Sequence, residues 1–310
     1  MMREQITVRS PVNIALIKYW GKADSVNVLP TTTSISLTLT DLYSETTIEP
    51  ASAFSFILNG VELSNQERQR VQKIINFFPQ EPIKITSVNS FPTAAGLASS
   101  ASGAAALSVA LNHYFKRDVS FDELVKMTRL GSGSAVRSLV DGFAVWHQAG
   151  HVEQLDNPFS DLRMVVCVVS DQKKAISSRE AMKVTQATAP NYDQWVRASQ
   201  DDYRAMRHAI LNAQLNDIGV IMERNSDRLH AIMKDSQPPI VYQTDVSHSL
   251  LLLVQTMRKK GIFAYATMDA GPNVKILTTH HDVDHVIASL KETVNVPFIV
   301  SRIGGFSRVI

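Results

Sequence analysis

From residue 92 to residue 115 the chain reads PTAAGLASSASGAAALSVALNHYF, a loop of small residues that runs directly into an alanine-rich helical stretch. A helix whose faces are alanine and serine must lie close against a flat partner to bury itself, so the sequence calls for a sheet beneath it. Four stretches supply strands. Residues 6–18 and 34–47 alternate apolar and β-branched positions, 54–58 ends at the turn signal Asn59-Gly60, and 83–88 alternates again. Between the last two lies a charged helical segment at 64–78. A further helix is expected over 121–130, with Ser120 as its N-cap.

The character changes after the strand MVVCVV. From 177 to 234 the sequence is almost wholly helical, until Pro238-Pro239 breaks the run. Next come a helix at 249–260, a strand at 263–268, a turn at Gly271-Pro272, a strand at 274–278, a helix at 283–292 and a strand at 298–303. This order predicts an α+β architecture of two domains, 1–180 and 181–310, the second with a mainly antiparallel sheet. The 310 residues can bury a core without staples, and no internal repeat is present.

Composition narrows the function. A formal net charge of +2, with no block of consecutive Lys and Arg, argues against a nucleic-acid partner, so basic side chains that matter must gather around a small anion. The single cysteine, Cys167, sits in an apolar strand and permits no disulfide within the chain. The N-terminal residues form no apolar leader, and the longest apolar runs, such as LLLLV at 250–254, are too short to cross a bilayer. No membrane association and a reducing cytoplasm are therefore expected. No metal site held by protein ligands is expected either: HHDVDH at 280–285 opens an amphipathic helix and has no partner motif elsewhere.

Four motifs carry chemistry. In the loop at 92–102, Gly96 and its neighbours let backbone approach a bulky anion, and Ser99, Ser100 and Ser102 place hydroxyls where a helix exposes unpaired N–H groups. Close packing of a helix start on a sheet would use the same residues. NIALIKYWGK, 13–22, ends a strand with Lys18, Tyr19 and Lys22, two ammonium groups and a phenol able to meet a polyanion, or else an edge strand with solvated lysines. GSGSAVRS, 131–138, sets glycines and hydroxyls ahead of Arg137, as a diphosphate-wrapping turn or an ordinary Gly/Ser loop would. YATMDAGPNVKIL, 265–277, puts Asp269 at a strand end before a Gly-Pro turn, where a carboxylate can orient a hydroxyl or simply cap the turn.

Taken together these strings resemble the diphosphomevalonate decarboxylases of the GHMP kinase superfamily. PTAAGLASSAS is similar to the family's phosphate loop, ALIKYWGK to its substrate segment, GSGSAVRS to its carboxylate clamp, TMDAGPNVK to its catalytic aspartate region and ISSREAM, 176–182, to a segment pairing a catalytic serine with a diphosphate contact. The motifs occur in family order from Asn13 to Lys275. Val140 and Asp141 depart from the pattern, which usually has an aromatic residue and a glycine there, and the threonines of LPTTTSISLTL replace the usual Asn or Ser pair of an adenine-side strand.

The resemblance implies the GHMP fold, with an N-terminal domain like the second domain of ribosomal protein S5 and a C-terminal ferredoxin-like domain. It implies a catalytic set of Asp269, Lys22, Arg137 and Ser178. Substrate contacts are implied at Tyr19, Trp20, Gly21, Lys22, Arg68, Ser132, Gly133, Ser134, Ala135, Val136, Arg137, Ser178 and Arg179. ATP contacts are implied at Pro92, Ala95, Gly96, Leu97, Ala98, Ser99, Ser100 and Ser102. The reaction implied is decarboxylation of mevalonate diphosphate driven by ATP and Mg2+, in a homodimer. A kinase that stops at phosphorylation, a decarboxylase of the monophosphate, and a silent ligand-binding relative are the alternatives.

Overall fold

The computed structural model describes residues 4–91, 99–172 and 174–310. In the first half the elements are β1 (Ile6–Ile17), β2 (Lys22–Asp24), β3 (Leu29–Pro30), β4 (Ser34–Pro50), β5 (Ser55–Leu58), β6 (Val61–Glu62), α1 (Asn65–Ile75), β7 (Ile83–Asn89), α2 (Ser99–Tyr114), α3 (Phe121–Gly131), a 3-10 turn (Gly133–Ser138), β8 (Phe143–Trp146) and β9 (Val152–Leu155). In the second half they are β10 (Leu162–Cys167), α4 (Ser178–Thr188), α5 (Tyr192–Leu211), α6 (Leu215–Lys234), α7 (Asp245–Lys259), β11 (Ala264–Met268), β12 (Val274–Thr279), α8 (Val283–Thr293), β13 (Phe298–Arg302) and β14 (Arg308–Val309).

Among the described residues the strands form two main sheets. The larger runs β14-β1-β4-β7-β5-β6, with β8 and β9 continuing from the other half of β4; its β5–β7 pair is parallel and the rest are antiparallel. The smaller, β11-β12-β10-β13, is wholly antiparallel, as the sequence predicts, and it takes in β10 as well as the strands beyond residue 181. β1 is buried on both faces from Val12 onward, which is why its sequence reads as a nearly continuous apolar run. One face lies under α2, whose Ala101, Ala104, Ala105, Ala106 and Ala110 allow the close approach that the composition demanded. The other meets α5 and α6 in a core containing Val12, Ile14, Leu16, Met206, Ile218, Met222, Tyr265 and Leu277, so one apolar cluster joins both sheets.

Local signals account for most boundaries. Ser120 caps α3 as expected, and α1 starts with a capping box between Ser64 and Glu67. The helix expected from 249 starts instead at Asp245, because Thr244 and Ser247 form a second capping box. The stretch from 177 to 234 divides into three helices, broken at Pro190 and again where Ala213 takes a φ of 51° and lets Gln214 N–H reach back to the Ala209 carbonyl. Gly133–Ser138 is a single 3-10 turn rather than the start of an α-helix, and Asp141 just beyond it accepts the Gly305 N–H.

Candidate active site

Asp269 follows the last residue of β11 and lies between two buried lysines. Lys18 Nζ is 2.9 Å from Oδ1 and Lys275 Nζ is 3.1 Å from Oδ2; the lysine side chains are 2% and 1% exposed, whereas the Asp269 side chain keeps 30%. The cations are thus sealed behind a carboxylate that still has an open side. Burial alone would raise the Asp269 pKa, but the two ammonium groups outweigh it and hold the carboxyl well below the usual carboxylate range. Lys18 has an acceptor for each N–H, since it also donates to the Ala15 carbonyl at 2.9 Å and Thr267 Oγ1 at 2.7 Å. The expectation that Lys18 presents its charge to a polyanion is therefore corrected: its charge is spent on Asp269.

Arg137 is brought close to this centre. The 3-10 turn buries its guanidinium, which donates to Asn13 Oδ1 at 3.2 Å and to Ser34 Oγ. Burial pulls its pKa down to about 10, with Asp269 and Tyr19 opposing, so it remains a cation at neutral pH. Tyr19 packs edge-on against Trp146 with ring centroids 4.8 Å apart, and burial raises its phenol pKa against the pull of Arg137 and Arg179, leaving a neutral hydrogen-bond donor. Gly133 is required here: a Cβ would lie 2.9 Å from both Tyr19 Oη and Trp146.

Beyond Tyr19 the field becomes strongly positive. Lys22 opens β2, and its backbone N–H and carbonyl are clasped by the Gln186 amide of α4 at 3.1 and 3.0 Å. Burial and the nearby cations Arg179, Lys73 and Lys183 pull its pKa down to about 8. Arg70 adds to the same field beside Arg179. None of these five side chains makes a carboxylate ion pair among the described residues, the arrangement expected where a polyanion docks. Arg68 does not join them. It pairs with Glu62 at 2.8 Å and donates to the Leu63 carbonyl, because on an α-helix it points some 200° away from Arg70, whereas Lys73 lies within about 60° of it.

Ser178 is the first residue of α4, whose N-cap is Ser177. Its Oγ accepts from Lys174 Nζ at 3.3 Å, and the same ammonium donates to the Ala270 carbonyl next to Asp269. Burial and the neighbouring Lys275 lower the Lys174 pKa to about 8, against the pull of Asp269. Arg179 is exposed one position later.

Several of the other implied contacts also serve the architecture. Trp20 is buried among Ala181, Tyr192 and Trp195, and its carbonyl accepts from Tyr192 Oη at 2.8 Å. Gly21 has a φ of 116°, and a Cβ there would fall 1.6 Å from Tyr192 Oη. Thr31 Oγ1 contacts the same hydroxyl at 3.0 Å, so the threonines of 31–33 help fasten this loop. Ala135 and Val136 are core residues, while Ser132 and Ser134 are only partly buried on the turn. The expected nucleotide contacts Pro92, Ala95, Gly96, Leu97 and Ala98 lie outside the described residues. Ser99 and Ser100 begin α2, whereas Ser102 is buried and shares its hydroxyl with Ser44 at 2.7 Å.

Sequence reasoning missed Lys275, Lys174, Arg70, Lys73, Lys183 and His230. Helical spacing puts Arg70 and Lys73 on one face of α1 but does not say what that face meets. His230, on α6, is buried, and desolvation with the nearby Lys18 charge lowers its pKa to about 4, so it is neutral; no local signal in the sequence marks it.

Residues 10–156 match the family model described as diphosphomevalonate decarboxylase-like N-terminal domain, and residues 164–302 match mevalonate 5-diphosphate decarboxylase C-terminal domain. The structure superposes on that of mevalonate diphosphate decarboxylase from Staphylococcus aureus with a TM-score of 0.93 at 34% identity, covering 99% of this chain and 98% of that one. A structure of MDDEF in complex with MVAPP, AMPPCP and magnesium gives a TM-score of 0.91 at 36% identity, with 99% and 98% covered. The fold is that of the GHMP kinases. Diphosphomevalonate decarboxylase of Candida albicans is 36% identical over 316 residues, spanning 92% of this chain and 87% of that protein. The chain belongs to the diphosphomevalonate decarboxylase family.

Proposed function

We propose that the protein converts mevalonate diphosphate and ATP into isopentenyl diphosphate, ADP, phosphate and carbon dioxide. The observation that carries this reading is the juxtaposition of a carboxylate held ionised by Lys18 and Lys275 with the buried Arg137, next to a field of cations without acidic partners. Family membership and the relative solved with MVAPP, AMPPCP and magnesium support it.

The substrate's diphosphate docks on Lys22, Arg179, Tyr19 and the 131–138 turn, and its carboxylate on Arg137. Asp269 then faces the tertiary hydroxyl. A carboxylate whose pKa is so far depressed is a weak base, so its first task is to accept a hydrogen bond and aim the oxygen at the γ-phosphoryl group; the proton transfers as the phosphoryl group arrives. Transfer turns a poor leaving group into phosphate. As the C–O bond breaks, the electrons of the C–COO⁻ bond form the double bond and carbon dioxide departs. Lys22 and Arg137 supply fixed positive charge to the departing phosphate and the carboxylate, with no rearrangement of solvent.

Nucleotide phosphates lie along the 92–102 loop and the N-terminus of α2 in this reading, residues 1–180 holding ATP and 181–310 supplying Asp269 and Lys275. Ser99 or Ser100, at the start of α2, would offer a hard oxygen donor to a magnesium ion bound with the nucleotide phosphates. The ion would neutralise phosphate charge.

The reading extends to a cytoplasmic homodimer, supported by the family resemblance; among the described residues no helix is long and apolar enough to cross a membrane. Incubation with mevalonate diphosphate, ATP and magnesium should release ADP and carbon dioxide in equal amounts. ADP without carbon dioxide would leave a kinase in its place.

A further inference from the structure

The two side chains that form the Lys18–Asp269 pair come from different sheets, and something must fix the distance between them. Lys18 follows the end of β1 in the large sheet, and Asp269 follows β11, an edge strand of the small one. Both backbones are gripped by neighbouring residues of α6. The Lys18 N–H donates to Asn225 Oδ1 at 2.8 Å. Ser226 Oγ accepts the Met268 N–H at 3.0 Å and donates to the Met268 carbonyl at 3.3 Å, immediately before Asp269. One turn earlier, Glu223 Oε1 accepts the Ala266 N–H at 2.7 Å. Side chains of α6 thus occupy hydrogen-bonding groups that an edge strand would otherwise leave open.

Asn225 is itself locked. Its Nδ2 donates to Asp202 Oδ2 at 3.0 Å and to Ser199 Oγ at 3.4 Å, which fixes the amide with its oxygen toward Lys18. Asp202, 1% exposed, is in turn held by Arg224 through Nε and Nη2 at 2.9 and 2.6 Å and by Arg228 at 2.8 Å. Asn225 and Ser199 are fully buried. A buried, charge-anchored chain of hydrogen bonds therefore ends on the backbone of one member of the ion pair, while the adjacent side chain holds the strand end that carries the other.

We propose that Asn225 and Ser226, with Asp202 behind them, are positioning residues that set the Lys18–Asp269 pair and so aim the Asp269 carboxylate at the substrate hydroxyl, an inference that rests on the role assigned to Asp269 above. All three are buried and act from behind the pair rather than on the substrate. Their effect passes through the placement of the end of β1 relative to the end of β11, so turnover responds and substrate binding does not.

The test compares Asn225→Ala, Asn225→Asp, Asp202→Asn and the exchange Asp202→Asn/Asn225→Asp. Asn225→Ala should lower kcat ten- to a hundredfold with KM for ATP and for mevalonate diphosphate within threefold of wild type. Asn225→Asp sets one carboxylate against another and should be worse; the exchange restores a donor-acceptor pair and should recover at least tenfold over Asn225→Asp. Lysine-15N labelling gives a readout independent of turnover, because the buried Lys18 ammonium, identified by its loss in Lys18→Met, should shift in Asn225→Ala. Asn225→Ala folded and within twofold of wild-type kcat overturns the proposal, as does an exchange variant no better than Asn225→Asp; if Asn225→Ala does not fold, the exchange decides. A wild-type enzyme that releases no carbon dioxide would instead sink the decarboxylase reading, and the ammonium resonance would still report whether Asn225 sets the pair.

Discussion

Replacing Asp269 by Asn removes one negative charge and little else, and it should damage stability and turnover by separable amounts. Two ammonium groups at 2.9 and 3.1 Å, each no more than 2% exposed, lose their shared counter-ion. Stripping one partner from a buried ion pair costs about 3 to 5 kcal/mol. The Asn carbonyl still accepts a hydrogen bond, which favours the lower end, about 3 kcal/mol. With an unfolding entropy of about 2.1 cal/mol/K per residue, 310 residues give roughly 0.65 kcal/mol/K, so Tm should fall by about 5 °C. Turnover of the folded mutant should drop about a hundred- to ten-thousandfold.

The pH dependence follows from the same charges. Because the Asp269 pKa is depressed in the folded state, its contribution is present above the unfolded value of about 4 and fades as pH falls through the depressed folded value. The wild-type advantage should therefore persist at neutral pH and shrink in acid. Calorimetry across this range with kinetics on folded protein checks both halves. A mutant turning over within threefold of wild type, or one with unchanged Tm at pH 7, would refute the reasoning.

Arg137→Gln should reduce kcat/KM for mevalonate diphosphate by about 2 to 4 kcal/mol of transition-state stabilisation, with weaker substrate binding by direct titration, since the carboxylate loses its fork. Affinity for mevalonate diphosphate should fall as pH rises through about 8, where Lys22 sheds its proton, and Lys22→Arg should move that limb upward; a titration series that leaves the limb in place for Lys22→Arg assigns it elsewhere. Gly21→Ala should lower Tm, because its φ of 116° is strained for alanine and its Cβ meets Tyr192 Oη, and combining it with Tyr192→Phe should recover part of the loss.

The elements were legible in sequence wherever a local signal defined them. Ser120 announced α3, and the apolar and β-branched residues of 6–18 announced β1, though not that it is covered on both faces. The site was legible in part. Asp269, Arg137, Tyr19 and Lys22 stand in short strings that the sequence singles out, and the tertiary fold brings those strings together. Lys18 and Lys275 were misread or missed because a lysine in a strand looks solvated until a carboxylate from another segment is placed against it. Arg70 and Lys73 share a face of α1 that Arg68 does not, and nothing in the string NQERQR says which side of the helix faces Lys22. Asn225 and Asp202 lie on helices that read simply as amphipathic, and their importance exists only in how α6 meets two strand ends.

The apolar cluster that runs from β1 through α5 and α6 to Tyr265 and Leu277 has a consequence for how the molecule can be taken apart. A piece cut at the linker between β9 and β10 would leave Val12, Ile14, Leu16 and Ile17 facing water on a flat sheet. The complementary piece would bare Met206, Ile218 and Met222. Neither fragment would be expected to stay in solution as a folded body; the two would serve only as halves that complement each other when expressed together, and exchange of one half between relatives would succeed only if this buried seam travelled with it.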